Sequence, residues 1–213
     1  MNGKHLVHNL IILDESGSMQ SIKEPVIGMF NSIVTSSKEI ASKYPEQEHL
    51  VSMVSFNSLG VRTYLYSQPL ISLDVISGQN YRPRSMTPLY DAMGFSIGRL
   101  RKEVETIPDY NVLVNILTDG FENASKEYTG NSIRNLIDEL KKTGKWTFTY
   151  AGADHDVEEA ASRMSISNYI SFNKSEHGLH SFLQKEVRAR HMLHQKLYKR
   201  KSVADNYYSD DEK

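Results

Sequence analysis

The chain has 213 residues, 39% hydrophobic and 24% charged, with a formal net charge of −1 and no cysteine. That length holds one domain, or one domain with an appendage, and enough apolar material for a sizeable core. The near-neutral charge gives no sign of a general nucleic-acid or membrane binder, the missing cysteine excludes disulfides and Cys-based zinc sites, and no apolar run approaches the roughly 20 residues of a membrane span.

Residues 5–13 form an apolar run broken by His8 and Asn9 that passes directly into an acidic motif. It has no small-residue cleavage site, so it reads as a buried strand and not a signal peptide. The expectation is a soluble cytoplasmic protein. Pro25 suits a first helical turn, and Val26, Ile27, Phe30, Ile33, Val34, Ile40 and Ala41 recur at helical spacing to about residue 43. LVSMVSFN (50–57) and VRTYLY (61–66) are strand-like, and the short link between them predicts an antiparallel hairpin. Residues 67–86 are irregular. Thr87-Pro88 opens a helix to about residue 105, NVLVNILT (111–118) is a strand, and 131–142 a helix. KWTFTYAG (145–152) is a strand, 156–164 a short helix and YISF (169–172) a last short strand. A helix from Leu179 to about Arg200 carries Leu179, Phe182, Leu183, Val187, Leu193 and Leu197 on one side. SVADNYYSDDEK (202–213) reads as a disordered tail.

Alternating strands and helices of these lengths predict an α/β fold: a doubly wound, mostly parallel sheet covered on both faces, with 5–13 and 111–118 at its centre. In such sheets ligands gather at the carboxyl ends of the strands. Asp14 follows the first central strand, with Ser16 and Ser18 at alternate positions around Gly17. Asp119 follows the second, and Thr87 begins a helix on the same side. Singly, each has an ordinary role. Asp14 can end a strand, Ser16 and Ser18 can sit in a turn, Thr87 can cap a helix ahead of Pro88, and Asp119-Gly120 can make a turn. Together, three loops deliver oxygen ligands to one edge. Carboxylates and hydroxyls are hard donors without nitrogen or sulfur, which favours Mg²⁺ or Mn²⁺ over zinc. Two carboxylates against a doubly charged ion leave it able to accept a further carboxylate from outside.

DESGS with Thr87 and Asp119 resembles the metal ion-dependent adhesion site of von Willebrand factor A (VWA) domains, D-x-S-x-S…T…D. TPLYDAM (87–93), LTDGFENAS (118–125) and WTFTYAGAD (146–154) are similar to segments recurring in bacterial standalone members. The resemblance covers roughly residues 5–175, within a domain of 1–176. A helix over 177–201 is then packed on the domain or appended to it. The resemblance implies a six-stranded, Rossmann-like sheet with one antiparallel edge strand. It also implies that the serines bind the ion directly, and that threonine and the acids bind it directly or through water. The open position is expected to take an Asp or Glu of a protein partner. No nucleic acid, membrane or small-molecule substrate is expected.

Other polar residues read as structural. Asp91 lies in a first helical turn, Glu122 and Asn123 sit where they could line the rim, and Asp154-His155-Asp156 looks like a strand end and helix cap. His177, His180, His191 and His194 form two i, i+3 pairs, expected to face solvent, and Lys196, Lys199, Arg200 and Lys201 a solvated helix end. The chain lacks a G-x-S-x-G elbow, a G-x-x-x-x-G-K-[ST] loop and a G-x-G-x-x-G fingerprint, and Ser16 occupies the position where an aspartyl-nucleophile phosphatase needs a second acid. A non-enzymatic, metal-dependent protein-interaction module is therefore expected. The alternative is a Mg²⁺-dependent phosphotransfer or hydrolytic enzyme.

Overall fold

The computed structural model describes residues 4–153, 156–173, 175–201, 203 and 206–208. Its first strand, β1 (His5–Asp14), is buried along its whole length. HLVHNLIILD does not alternate apolar with polar, which is the pattern of a strand covered on both faces. β1 pairs in parallel with β2 (Gln47–Asn57) on one side and β4 (Tyr110–Thr118) on the other. β5 (Trp146–Gly152) and β6 (Asn168–Ser171) continue the parallel array. β3 (Gly60–Pro69) adds one antiparallel edge beside β2. The hairpin turns at Gly60, whose φ of 137° is open to glycine and strained for other residues. The resulting order, β3-β2-β1-β4-β5-β6, is the doubly wound Rossmann-like sheet that the sequence predicts.

Four helices return the chain between strands: α1 (Lys23–Lys43), α2 (Leu89–Val104), α3 (Gly130–Lys142) and α4 (Val157–Arg163). A fifth, α5 (Glu176–Tyr198), follows β6. Successive side chains of a strand point to opposite faces. Leu6, Leu10 and Ile12 of β1 therefore join the core under α2, α3 and α4, while Ile11 and Leu13 join the one under α1 and α5. Among the described residues no helix is long and apolar enough to cross a membrane.

The C-terminal segment departs from expectation only after its helix. α5 is packed on the sheet through Leu179, Phe182, Ala189, Leu193 and Leu197. Beyond it Val203 and Tyr207 are buried beside Val7 and Leu113. Thr147 Oγ1 donates to Val203 O at 2.9 Å, and Tyr207 N to Asn168 Oδ1 at 2.8 Å. The disordered tail expected over 202–213 is thus corrected at 203 and 206–208. Apolar and aromatic groups in a polar-looking segment cover sheet surface that α5 leaves open. The remaining residues of that segment lie outside the described ones.

Candidate metal centre

The parallel register sets Leu13 opposite Leu117, which brings Asp14 level with Thr118 where both strands end. Thr118 Oγ1 donates to Asp14 Oδ2 at 2.6 Å, and Asp14 Oδ1 accepts from Ser16 N at 2.7 Å. The second contact curls the chain so that Ser16 and Ser18 lie on one side, with their Oγ atoms 3.2 Å apart. Ser18 Oγ donates to Asp119 Oδ1 at 2.5 Å, joining the two strand-end loops. Thr87 completes the set. A Cβ built on Gly120 would lie 3.4 Å from Ser18 Oγ and 3.7 Å from Thr87 Oγ1, so a side chain there would fill the space between the hydroxyls. The five residues singled out from the sequence therefore meet at the carboxyl edge of the sheet.

Residues not singled out hold this loop in place. Glu15 faces away from the oxygen cluster and is buried. Its carboxylate accepts from Ser55 Oγ and from Arg82 N, each at 2.6 Å, and its carbonyl from Arg84 N at 2.9 Å. Tyr81, fully buried, donates its hydroxyl to Asp14 O at 2.7 Å. Gly17 N donates to Ser85 O at 2.9 Å, and a Cβ on Gly17 would stand 3.3 Å from that carbonyl. Glycine at 17 thus permits a close backbone approach. The sequence signal for Glu15 was its place between two residues that share the opposite side. Thr118 and Tyr81 carry no local signal.

Thr87 is not the expected helix cap. The N-cap of α2 is Pro88, without a side-chain cap bond. Glu122 Oε2 instead accepts from Tyr90 N at 2.8 Å, and Ser125 Oγ from Asp91 N at 3.0 Å. A carboxylate at a helix N-terminus satisfies open N–H groups and the dipole together, which leaves the Thr87 hydroxyl available to the cluster. Asn123 fixes Thr87 by exchanging backbone and side-chain bonds with it at 2.8 and 3.1 Å. Asp91 accepts from Lys126 N, Glu127 N and Tyr128 N at 2.8–2.9 Å. Glu122 and Asn123 are therefore braces of the site more than rim contacts, and Asp91 is structural as expected.

Electrostatically the cluster is rich in buried negative charge. Asp14 is fully buried and Asp119 is 4% exposed. Burial pushes the Asp14 carboxyl up to about 6 against the hydrogen bonds of Thr118 and Ser16, and the charge of Asp119 adds to the rise. None of these influences is positive. Among the described residues no three His, Cys, Asp or Glu side chains gather to hold a metal, and the five-residue set has two carboxylates and three hydroxyls. The residues present fit a small hard cation: oxygen donors only, a space kept free by Gly120, and two buried acids that oppose each other.

The remaining predicted residues do not join the cluster. Asp156 Oδ1 accepts from Glu159 N at 2.8 Å and caps α4, whereas Asp154 and His155 lie outside the described residues. His177 and His180 are exposed, as expected. His194 corrects the solvent-facing expectation. It is 2% exposed, with His49 at 5.3 Å and Tyr44 at 6.1 Å between ring centroids. Burial holds its basicity well below the usual range. Arg200 pairs with Asp109 at 2.7 Å at the opposite end of the strands.

Neither a family model nor a curated protein matches the chain. Among solved structures it is similar to two of proximal thread matrix protein 1 from the mussel byssus. One aligns at a TM-score of 0.53 over 88% of this chain, the other at 0.56 over 87%, each with 14% identity. The chain spans about half of that protein, 46% of its length in both cases, and at such identity the likeness is one of fold.

Proposed function

We propose that this chain is a metal-dependent protein-interaction module of the VWA type, in which Asp14, Ser16, Ser18, Thr87 and Asp119 hold Mg²⁺ or Mn²⁺. The observation that supports this is the meeting of two buried carboxylates and three hydroxyls from three loops at one sheet edge. An ion held there would supply an open position for an Asp or Glu of a protein partner. The chain's own residues do the rest. Ser16 N and Thr118 orient Asp14, Ser18 ties the β1 loop to Asp119, and Asn123 sets Thr87. Leu59, Met86 and Phe121, each at least half exposed, stand on the 58–60, 84–87 and 120–125 loops as apolar rim contacts. Both neighbouring structures are of one protein, named a matrix protein, which accords with a non-enzymatic role. We place the module in the cytoplasm, in line with its lack of cysteine.

Thermal melting with Mg²⁺ and with EDTA tests the ion. A ligand at a hundred times its dissociation constant stabilises the folded state by about 2.7 kcal/mol. The melting temperature should rise with Mg²⁺ in the wild type and not in Asp14→Ala; an equal rise in both would put the ion elsewhere. A partner captured in Mg²⁺ and released by EDTA should then bind by calorimetry only with the ion. Ser16→Ala and Ser18→Ala should each weaken that binding strongly. Turnover of phosphate esters or nucleotides that requires Asp14 would replace this reading with the enzymatic one.

A further inference from the structure

On the hairpin side of the metal centre lies an open cleft of about 500 Å³, lined among others by Glu15, Asn57, Leu59, Arg62, Arg82 and Arg84. The three arginines are exposed. Arg62 Nη1 donates to Asn80 O at 2.8 Å and Arg82 Nε to Gln79 O at 2.6 Å, both neutral carbonyls. Among the described residues no carboxylate is ion-paired with any of the three, whereas Arg101, Arg134, Arg163, Arg190 and Arg200 each face one. Glu15, on the shared wall, makes no ion pair with any of the three among the described residues. Its carboxylate is taken up by Ser55 Oγ and the Arg82 backbone. In a chain of net charge −1, three guanidiniums in one cleft against a single carboxylate that pairs with none of them is a local arrangement.

This cleft and the metal loop are one piece of structure. Arg84 N donates to Glu15 O, and the next residue's carbonyl, Ser85 O, accepts from Gly17 N, each at 2.9 Å. Asn57 Nδ2 donates to Glu15 O at 3.3 Å from the hairpin side. A chain that brought a carboxylate to Asp14, Ser16 and Ser18 would therefore continue past Arg84 into the cleft. Guanidinium groups form forked, charge-assisted bonds with carboxylates, and exposed ones keep side-chain freedom to do so. Leu59, 67% exposed at the rim, offers an aliphatic contact. The nearby ring of Tyr64 is covered by Arg62 at 4.4 Å, which removes it as a stacking platform for bases.

We infer that the partner enters as an acidic segment: one Asp or Glu goes to the metal centre, and neighbouring acids of the same stretch pair with Arg62, Arg82 and Arg84. This rests on the proposed reading of the metal centre and narrows the partner from one acid to a run of acids.

The test uses fluorescein-labelled hexaglutamate, followed by anisotropy at low salt with millimolar Mg²⁺. Hexaglutamine and a short oligothymidylate serve as comparison probes. Hexaglutamate should bind more tightly than either. Combining Arg62→Gln, Arg82→Gln and Arg84→Gln should weaken it about tenfold or more. Because these side chains are exposed, the variant should keep the wild-type melting temperature and its rise with Mg²⁺. Unchanged hexaglutamate affinity in the variant, or tighter binding of oligothymidylate to the wild type, would overturn the inference. Failure of the underlying reading looks different: no melting response to Mg²⁺ in the wild type and the same peptide affinity in EDTA, with the arginine dependence intact.

Discussion

Two clusters of buried acid sit about β1, one under α5 and one at the strand's end, and they are neutralised differently. Under α5, Glu186 and Arg190 are 2% and 1% exposed and 2.7 Å apart. Arg190 also donates to Asn9 Oδ1 and Asn115 Oδ1 at 2.8 Å, and Glu186 accepts from Tyr207 and Tyr208 at 2.9 and 3.0 Å. At the other cluster, Asp14 and Asp119 are as deeply buried, and what acts on Asp14 is burial, two hydroxyl-bearing neighbours and a second acid. The first cluster contains its own cation. The second is where we propose that a metal ion binds. A buried charge is costly to keep away from water, and the proposed ion would lower that cost at the second cluster as Arg190 does at the first.

The sharpest contrast comes from removing the internal cation. Arg190→Ala leaves Glu186 as an uncompensated charge in the core, and breaking such a pair costs about 3–5 kcal/mol. Urea denaturation should show that loss with and without Mg²⁺, because the cluster is closed. A loss that Mg²⁺ restores would mean that the two clusters are coupled, and would break the comparison.

Acid should act through β1 as well. His8, fully buried with Nε2 3.0 Å from Ser52 Oγ, is lowered to about 4, by burial first, with Glu103 opposing. Its folded value lies below the ordinary 6.5, so the unfolded chain binds the proton more readily. The stability tied to neutral His8 is complete above pH 6.5 and is lost as pH falls through about 4. At about 1.4 kcal/mol per pH unit the loss totals on the order of 3 kcal/mol. His8→Gln should flatten that part of the stability curve between pH 6.5 and 4; an unchanged slope would assign the acid sensitivity to other groups, the buried His194 first among them.

At the second cluster the sign reverses. Asp14→Asn removes a buried charge that the metal-free protein tolerates poorly, at the loss of part of its bond with Thr118. With the carboxyl pushed up to about 6, keeping it ionised at pH 7.5 costs on the order of 3 kcal/mol before that loss, so a net gain of about 1–2 kcal/mol is expected in EDTA. In Mg²⁺ the order of wild type and variant should invert. A variant less stable than the wild type in EDTA would mean that the acid is compensated from within, as Glu186 is.

The sequence carried the second cluster better than the first. DESGS, Thr87 and Asp119 are legible because strand ends and alternate spacing are local, and the parallel order that brings them together follows from the βαβ pattern. Their supports are long-range and were not legible. Glu15 acts through Ser55 and Arg82, and the capping expected of Thr87 passes to Glu122 from another loop. The burial of His194 and the Glu186–Arg190 pair depend on which side of α5 meets the sheet, and an apolar stripe does not tell that for its polar neighbours. The tail reads as disordered from the sequence for the same reason. Its aromatic pair has no apolar periodicity of its own and finds its acceptor 21 and 22 residues back in the chain.

That last contact gives the smallest effect. Tyr208, partly buried, donates its hydroxyl to Glu186 Oε2 at 3.0 Å, and its ring packs edge-on against Tyr207 at 4.9 Å. Tyr208→Phe keeps the ring and deletes one bond to a charged acceptor, which contributes about 1.5–3 kcal/mol, the lower end applying to a site that water can reach. Tyr207 and Arg190 still satisfy Oε1, so the carboxylate retains its charge and its main partners. A loss of about 1.5 kcal/mol in urea, with protease susceptibility rising beyond residue 200 and the Mg²⁺ response unchanged, would show that the C-terminal segment closes the first cluster. Wild-type stability in Tyr208→Phe would instead leave Tyr207 and Arg190 as the groups that neutralise Glu186.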